Sequence, residues 1–250
     1  MDRTPSGIYG LDELLSGGFP KRRTVLVSGA CGTGKSILSM QFIYRGILTA
    51  EEPGVFITFD EMPEKMRQDM LNFGWNLKEA EDSNLLAIID ATAARAGLPS
   101  DEVHALLPSQ LDIDKLLNDA LKICREIGAK RIVVDSIPAM ATQLDNEGAI
   151  RKAILKISYI LSRSGLTSIL TSEVPEQSLG SGNAMMFSKY EVEEYVADGV
   201  ILLNFLGVGR GATRTLHIRK MRGTNHSTEI HPMEITNKGI VVKKVEEVFK

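Results

Sequence analysis

Cysteine is scarce in this chain of 250 residues: Cys31 and Cys124 are its only two, too few and too far apart for a disulfide framework or a cysteine-based zinc site. That scarcity implies a reducing compartment, the cytoplasm. No apolar run approaches the roughly 20 residues a membrane-spanning helix needs. Acids, glycines and a proline occupy residues 1–20, where a signal peptide would need an apolar stretch. A basic excess is missing too: 29 Lys and Arg stand against 32 Asp and Glu, a formal charge of -3. Duplex-binding domains usually carry a positive surplus to neutralise phosphates, so this balance weighs against DNA as a partner. There is no linker, repeat or low-complexity tract. What remains is 43% hydrophobic and 24% charged, the mix of a soluble globular protein. A chain of this size buries on the order of three quarters of its unfolded surface, so it needs neither disulfide nor metal for stability.

Short apolar runs alternate with helical stretches. Residues 24–28, 55–59, 85–89, 131–134 and 167–171 read as strands. Residues 36–48 and 64–73 read as helices, and residues 113–127 repeat Leu116, Leu117, Ala120, Leu121, Cys124 and Ile127 at helical spacing. Ile150, Ala153, Ile154, Ile157, Ile160 and Leu161 mark one face of a further helix. Strand–helix alternation implies crossover connections and a mainly parallel sheet covered on both faces. From Gly199 the pattern changes to strands at 200–205, 213–221, 229–235 and 240–244, separated by short Gly- or Asn-containing breaks. These read as antiparallel strands extending the same sheet. The expectation is an α/β fold in one domain, residues 1–250, with loops at 90–110 and 175–188.

The most specific motif is Gly29-Ala30-Cys31-Gly32-Thr33-Gly34-Lys35-Ser36, a phosphate-binding loop placed between a strand and a helix. Glycines let backbone N–H groups wrap phosphates, and the helix N-terminus adds a positive dipole end. In such a loop Lys35 bridges the β- and γ-phosphates and Ser36 ligates Mg²⁺. A second acid should complete the metal site at the end of a buried strand beside the loop, and Asp135 follows Ile132, Val133 and Val134 there, acting directly or through water. Hydrolysis also needs a group to orient or deprotonate water. Asp60 and Glu61 end the 55–59 strand at the sheet edge where ligands of open α/β sheets bind. Two readings of Asp60 stand side by side: a water-handling acid, or a cap for the helix that begins at Met62-Pro63. Thr171 and Ser172 likewise either face the γ-phosphate or simply end a strand.

Together these residues resemble the KaiC-type ATPases, a branch of the RecA superfamily. Residues 6–18 are similar to the family's opening segment. The phosphate loop, the acidic pair, Asp135-Ser136 and Thr171-Ser172-Glu173 come in the family's order. Glu193-Glu194-Tyr195-Val196-Ala197-Asp198-Gly199-Val200, followed by Lys220-Met221-Arg222-Gly223-Thr224-Asn225-His226, resembles its Lys-x-Arg-Gly-x-x-His strand. The resemblance implies a Mg²⁺-dependent ATPase and a head-to-tail homo-oligomeric ring, a hexamer in the family, with ATP held between subunits. Lys220 and Arg222 would then approach a neighbour's γ-phosphate and His226 its nucleoside end, with Met221, Thr224 and, on the loop side, Ile37 among the nucleotide contacts. An arginine supplied in trans stabilises the transferring phosphoryl. Without the resemblance, Lys220 and Arg222 read as an exposed strand face with Arg219.

Three departures from the family pattern stand out. Asp60 replaces the first glutamate of the acidic pair and is one methylene shorter. Glu194 and Tyr195 occupy the positions where clock-type relatives phosphorylate a Ser-Thr pair, so autokinase activity is not expected. Arg22 stands where relatives often have glycine. Cys31 invites a redox-switch reading against that of an ordinary residue at a variable loop position. His104, His217 and His231 lack ligand spacing. Two other functions compete with the ATPase. One is a recombinase-like DNA-binding protein using the 175–188 loop with Met185, Met186, Phe187 and Lys189. The other is a nucleotide-gated protein that hydrolyses little and signals to an unidentified regulatory partner.

Overall fold

The computed structural model describes residues 2–106, 113–142, 144, 146–174, 187–208 and 211–244, with the backbone alone at 207, 208, 211 and 212. A two-stranded sheet, β1 (Arg3–Thr4) and β2 (Phe19–Pro20), brackets the short helix α1 (Leu11–Leu14). The alternation then runs β3 (Thr24–Gly29), α2 (Lys35–Ala50), β4 (Gly54–Thr58), α3 (Pro63–Leu71), α4 (Leu77–Asp82), β5 (Leu86–Asp90), α5 (Thr92–Ala96) and α6 (Ile113–Glu126). It continues through β6 (Arg131–Asp135), α7 (Ile137–Ala141), α8 (Glu147–Ser164), β7 (Thr167–Glu173) and α9 (Glu193–Val196). Four long or paired strands follow: β8 (Gly199–Val208), β9 (Gly211–Met221), β10 (Ile230–Thr236) and β11 (Gly239–Val242).

All but β1 and β2 join one nine-stranded sheet in the order β11-β10-β9-β8-β3-β7-β6-β4-β5. From β8 to β5 the pairing is parallel, and β9, β10 and β11 add on antiparallel, as the change of pattern at Gly199 predicts. Because successive side chains of a strand point to opposite faces, the central strands feed two separate cores. Val25, Val27, Phe56, Val133 and Ile169 pack with α2, α3 and α4, while Leu26, Val55, Ile57, Ile132, Val134 and Leu170 pack with α6, α7 and α8. The six parallel strands therefore present their carboxyl ends at one edge, where ligands of such sheets bind.

One expectation changes. The stretch at 90–110 contains α5, a helix of five residues that periodicity cannot detect at that length. The strand carrying Asp135 is separated from the phosphate strand by β7, yet its carboxylate meets the loop through Ser36. Of the other expected loop, residues 175–186 lie outside the described residues.

Opposite the carboxyl edge, Arg131 opens β6 with a fully buried guanidinium. It bonds Glu52 at 2.7 Å, donates to the carbonyls of Pro5 and Phe42 at 2.8 Å each, and lies over the Phe42 ring. Gly46 makes the room, since a Cβ there would sit 2.2 Å from Arg131 Nε. One side chain thus joins the N-terminal segment, α2 and β6.

Candidate functional site

Between β3 and α2 the chain turns through Gly32 at φ 74° and Gly34 at φ 104°, both left-handed conformations that glycine adopts without steric cost. At Gly29 the constraint is space: a Cβ would lie 2.2 Å from the Leu203 carbonyl oxygen of β8. No side chain caps the N-terminus of α2, so its first N–H groups are free to meet an anion. Thr33 closes the turn by donating to the Ala30 carbonyl at 2.8 Å. Cys31 is exposed at the tip. Ile235 and Ile240, from β10 and β11, pack against Gly34 and wall the start of α2.

Lys35 folds back over this loop, its amine donating to the carbonyls of Gly29 and Ala30 at 2.9 Å each. Burial lowers its pKa from the usual lysine value, and the nearby carboxylates of Glu173 and Asp135 work against that shift. Those two loop carbonyls are the contacts a bound phosphate would compete with.

Across β7, Asp135 is buried at the end of β6. Thr171 Oγ1 donates to it at 2.5 Å, and the Ser36 hydroxyl also hydrogen-bonds it. Burial pushes its carboxyl above the ordinary range, while the Thr171 and Ser36 hydrogen bonds hold it back. Thr171 therefore faces the site through Asp135. Ser172 does not: its hydroxyl donates to Glu193 at 2.9 Å, a fully buried carboxylate that also accepts from Ser188. The hydroxyl of Ser36 and the carboxylate of Asp135 are the hard oxygen donors Mg²⁺ prefers, and they already touch. The glycine turn, the uncapped helix and the Lys35 amine suit a triphosphate in the same way. Mg²⁺, when bound, neutralises charge on the β- and γ-phosphate oxygens.

The acidic pair divides. Asp60 Oδ1 accepts from Arg95 at 2.8 Å and Oδ2 from Ser136 Oγ at 2.7 Å. It does not cap α3, whose N-cap is Met62 without any side-chain bond. Glu61 is half-buried, and its carboxyl is pushed above the usual range, first by burial and then by the charge and hydrogen bond of Asp69. A carboxyl so shifted is a better proton acceptor once ionised.

Lys220, Arg222, Thr224 and His226 lie elsewhere. Met221 pairs with Gly199 of β8, and Gly199 with Val25 of β3, whereas the loop begins four residues further on at Gly29. These residues thus sit at the opposite sheet edge from their own chain's loop. Lys220 Nζ donates to the carbonyls of Glu194 and Ala197 at 2.9 and 2.7 Å, at the end of α9, and burial lowers its pKa. Arg222 is exposed, reaching the Tyr195 carbonyl at 3.3 Å and Asp198 at 4.0 Å. Thr224 accepts from Arg3 at 2.6 Å, and His226 Nδ1 lies 2.9 Å from the Ser227 carbonyl. Met221 is buried over Gly199, which leaves only its backbone for a ligand. Arg95 escaped the sequence reading because it belongs to no motif, and Glu193, though it opens the 193–200 run, gave no sign of its bond to Ser172, which only the fold creates.

A glycine turn feeding an uncapped helix, on a sheet whose acid-bearing strand is separated from the phosphate strand by one other, defines a phosphate-loop nucleotide-binding protein of the RecA fold. The sequence pattern of the family described as "ATPase: KaiC" matches residues 4–247, and the chain belongs to that family. A UPF0273 protein of Aeropyrum pernix is 38% identical over 97% of this chain and 94% of its own length. The circadian clock oscillator protein KaiC of Parathermosynechococcus lividus is 35% identical over 96% of this chain, which spans 42% of that longer protein. The crystal structure of a KaiC-like protein from Pyrococcus horikoshii OT3 superposes with a TM-score of 0.83 at 38% identity, covering 97% of this chain and 99% of that one. Among the described residues, no helix is long and apolar enough to cross a membrane.

Proposed function

We propose that this protein is a Mg²⁺-dependent ATP hydrolase that works as a head-to-tail ring, a hexamer, of one-domain subunits. The observation that carries the reading is the separation of its two cationic sets. Lys35 belongs to the phosphate loop at one sheet edge, and Lys220 and Arg222 stand at the other. A heterologous interface brings one subunit's second edge to the next subunit's first, and closing that contact makes a ring. In this arrangement Lys35 holds the phosphates, Ser36 and Asp135 hold Mg²⁺, and Glu61 with Asp60 handles the water. Lys220 and Arg222 neutralise the transferring phosphoryl of the neighbour, with Thr224 and His226 beside its nucleoside.

Family membership supports ATP as the nucleotide, and the oscillator name carried by the longer relatives supports a regulatory role. Two measurements test the reading together. Phosphate release from Mg-ATP should exceed that of Lys35→Ala at equal protein concentration. Light scattering should report a ring mass with Mg-ATP. Turnover no faster than Lys35→Ala rejects the hydrolase, and a monomer at saturating Mg-ATP rejects the ring.

A further inference from the structure

The water-handling edge of the site is crowded with negative charge. Phe59 N–H donates to the Asp135 carbonyl at 2.8 Å, which brings the ends of β4 and β6 together. The ends of the two strands thereby place Asp60, Glu61 and Asp135 near one another: the charge of Asp135 helps raise the Glu61 carboxyl, and that of Asp60 helps raise Asp135. Lys35 spends its hydrogen bonds on the loop carbonyls. Among the described residues, Arg95 is the cation that pairs directly with the acidic group, 2.8 Å from Asp60 Oδ1, while Ser136 donates to Oδ2 at 2.7 Å. With one donor on each oxygen, the plane and the reach of this carboxylate are both set. Reach matters here, because an aspartate extends one methylene less than a glutamate and has less freedom to find water by itself.

Arg95 is itself held in place. Asp90, the last residue of β5, accepts from the Thr92 N–H at 2.8 Å, the Thr92 hydroxyl at 2.6 Å and the Ser100 hydroxyl at 2.6 Å. The Ala91 N–H reaches the Thr58 carbonyl on β4 at 2.9 Å. The far end of the segment is tied by Arg67, which bonds Glu81 and Glu102 together at 2.7 Å each. Behind α5, Ala93 and Ala96 line a cavity of about 780 Å³. Among the described residues no packed layer fixes the helix on that side, and its polar anchors hold it.

We infer that Arg95 is a positioning residue for hydrolysis: resting on the ATPase reading above, it holds the Asp60 carboxylate in the orientation that directs the attacking water, without touching the nucleotide. α5 then couples the 90–106 segment to the reacting centre, and an aspartate serves where the family pattern has glutamate because Arg95 and Ser136 fix its direction.

The test compares Arg95→Ala, Arg95→Lys, Asp60→Asn and Arg95→Ala/Asp60→Asn in steady-state hydrolysis of Mg-ATP. Affinity for a fluorescent ATP analogue and the thermal midpoint are measured for each, with Lys35→Ala as the inactive control. Arg95→Ala should lower kcat about 10- to 100-fold, the range that misplacement of a reacting group by about 1 Å produces, with KM and analogue affinity changed less than about twofold. Arg95→Lys should recover most of the loss. The double variant should fall little below the lower single, because both residues act through one carboxylate. Arg95→Ala turnover within twofold of wild type, or above it, overturns the inference, as does a fall in affinity that matches the fall in kcat. If Arg95→Ala fails to fold, Arg95→Lys and Arg95→Gln carry the same comparison of neighbouring charge and hydrogen bonding. A wild type no faster than Lys35→Ala instead overturns the ATPase reading and takes the inference with it, so the two failures are told apart.

Discussion

If Lys220 and Arg222 serve a neighbouring subunit, two dead proteins should make a live one. Lys35→Ala lacks the amine that holds phosphate, and Arg222→Ala lacks the trans cation. The register sets the geometry: Met221 aligns with Val25 through Gly199, four residues short of Gly29. At about 3.3 Å per residue and two strand spacings of about 4.8 Å, the separation is about 16 Å, too far for Arg222 to reach its own phosphate loop. In a mixed ring, an interface is intact only where an Arg222→Ala subunit supplies the loop and a Lys35→Ala subunit supplies the arginine. Random mixing at equal amounts makes about a quarter of the interfaces intact, whatever the number of subunits. Co-expressed variants, purified through two different tags, should therefore turn over Mg-ATP at about a quarter of the wild-type rate, each alone being lower by about 10³-fold or more. Activity of the mixture no greater than the mean of the two parents would refute the trans assignment.

Two further predictions concern stability. Arg131→Ala should destabilise the fold by about 3 kcal/mol, because it strands Glu52 and two buried carbonyls, and should lower the melting temperature by about 6 to 12 °C. Arg131→Met, which refills the space beside Gly46, should cost clearly less, and equal losses in calorimetry would show that the lost ion pair and hydrogen bonds, not packing, carry the cost there. Burial holds His217 and His231 below the usual histidine value of 6.5, each being favoured neutral in the fold. The unfolded chain therefore takes up protons first on acidification, and stability should fall as the pH drops below about 6.5, levelling once the folded histidines are also charged. A His217→Gln/His231→Gln variant should lose that part of the slope in urea titrations between pH 7.5 and 5. An unchanged slope would assign the acid sensitivity to other groups.

Much of the fold was legible in sequence because its signals are local. Each parallel strand is a short run of branched apolar residues buried on both faces, and the glycine loop announces itself by composition and by its place between β3 and α2. The antiparallel extension showed in the change of spacing at Gly199. Strand order was not legible: nothing local in Ile132, Val133 and Val134 says that β7 intervenes between β6 and β3. α5 was missed because five residues hold little more than one helical turn, and its stability comes from Asp90, Thr92 and Ser100 rather than from periodicity.

The site shows the same division. The chain alone determined which groups can bind phosphate and Mg²⁺, since a glycine turn, a lysine and a following serine work through backbone conformation and adjacent residues. The tertiary structure decided what each acid does. Asp60 meets Arg95 and Ser136 and Ser172 turns away to Glu193, partners 21 to 76 residues away in the chain that the fold brings together, while Glu61 meets Asp69 of the adjoining helix α3. It also decided that Lys220 and Arg222 lie beyond reach of Lys35 in the same chain. Hydrogen bonds and charge act over a few ångströms, so a residue's role follows from its neighbours in space, which sequence order does not contain.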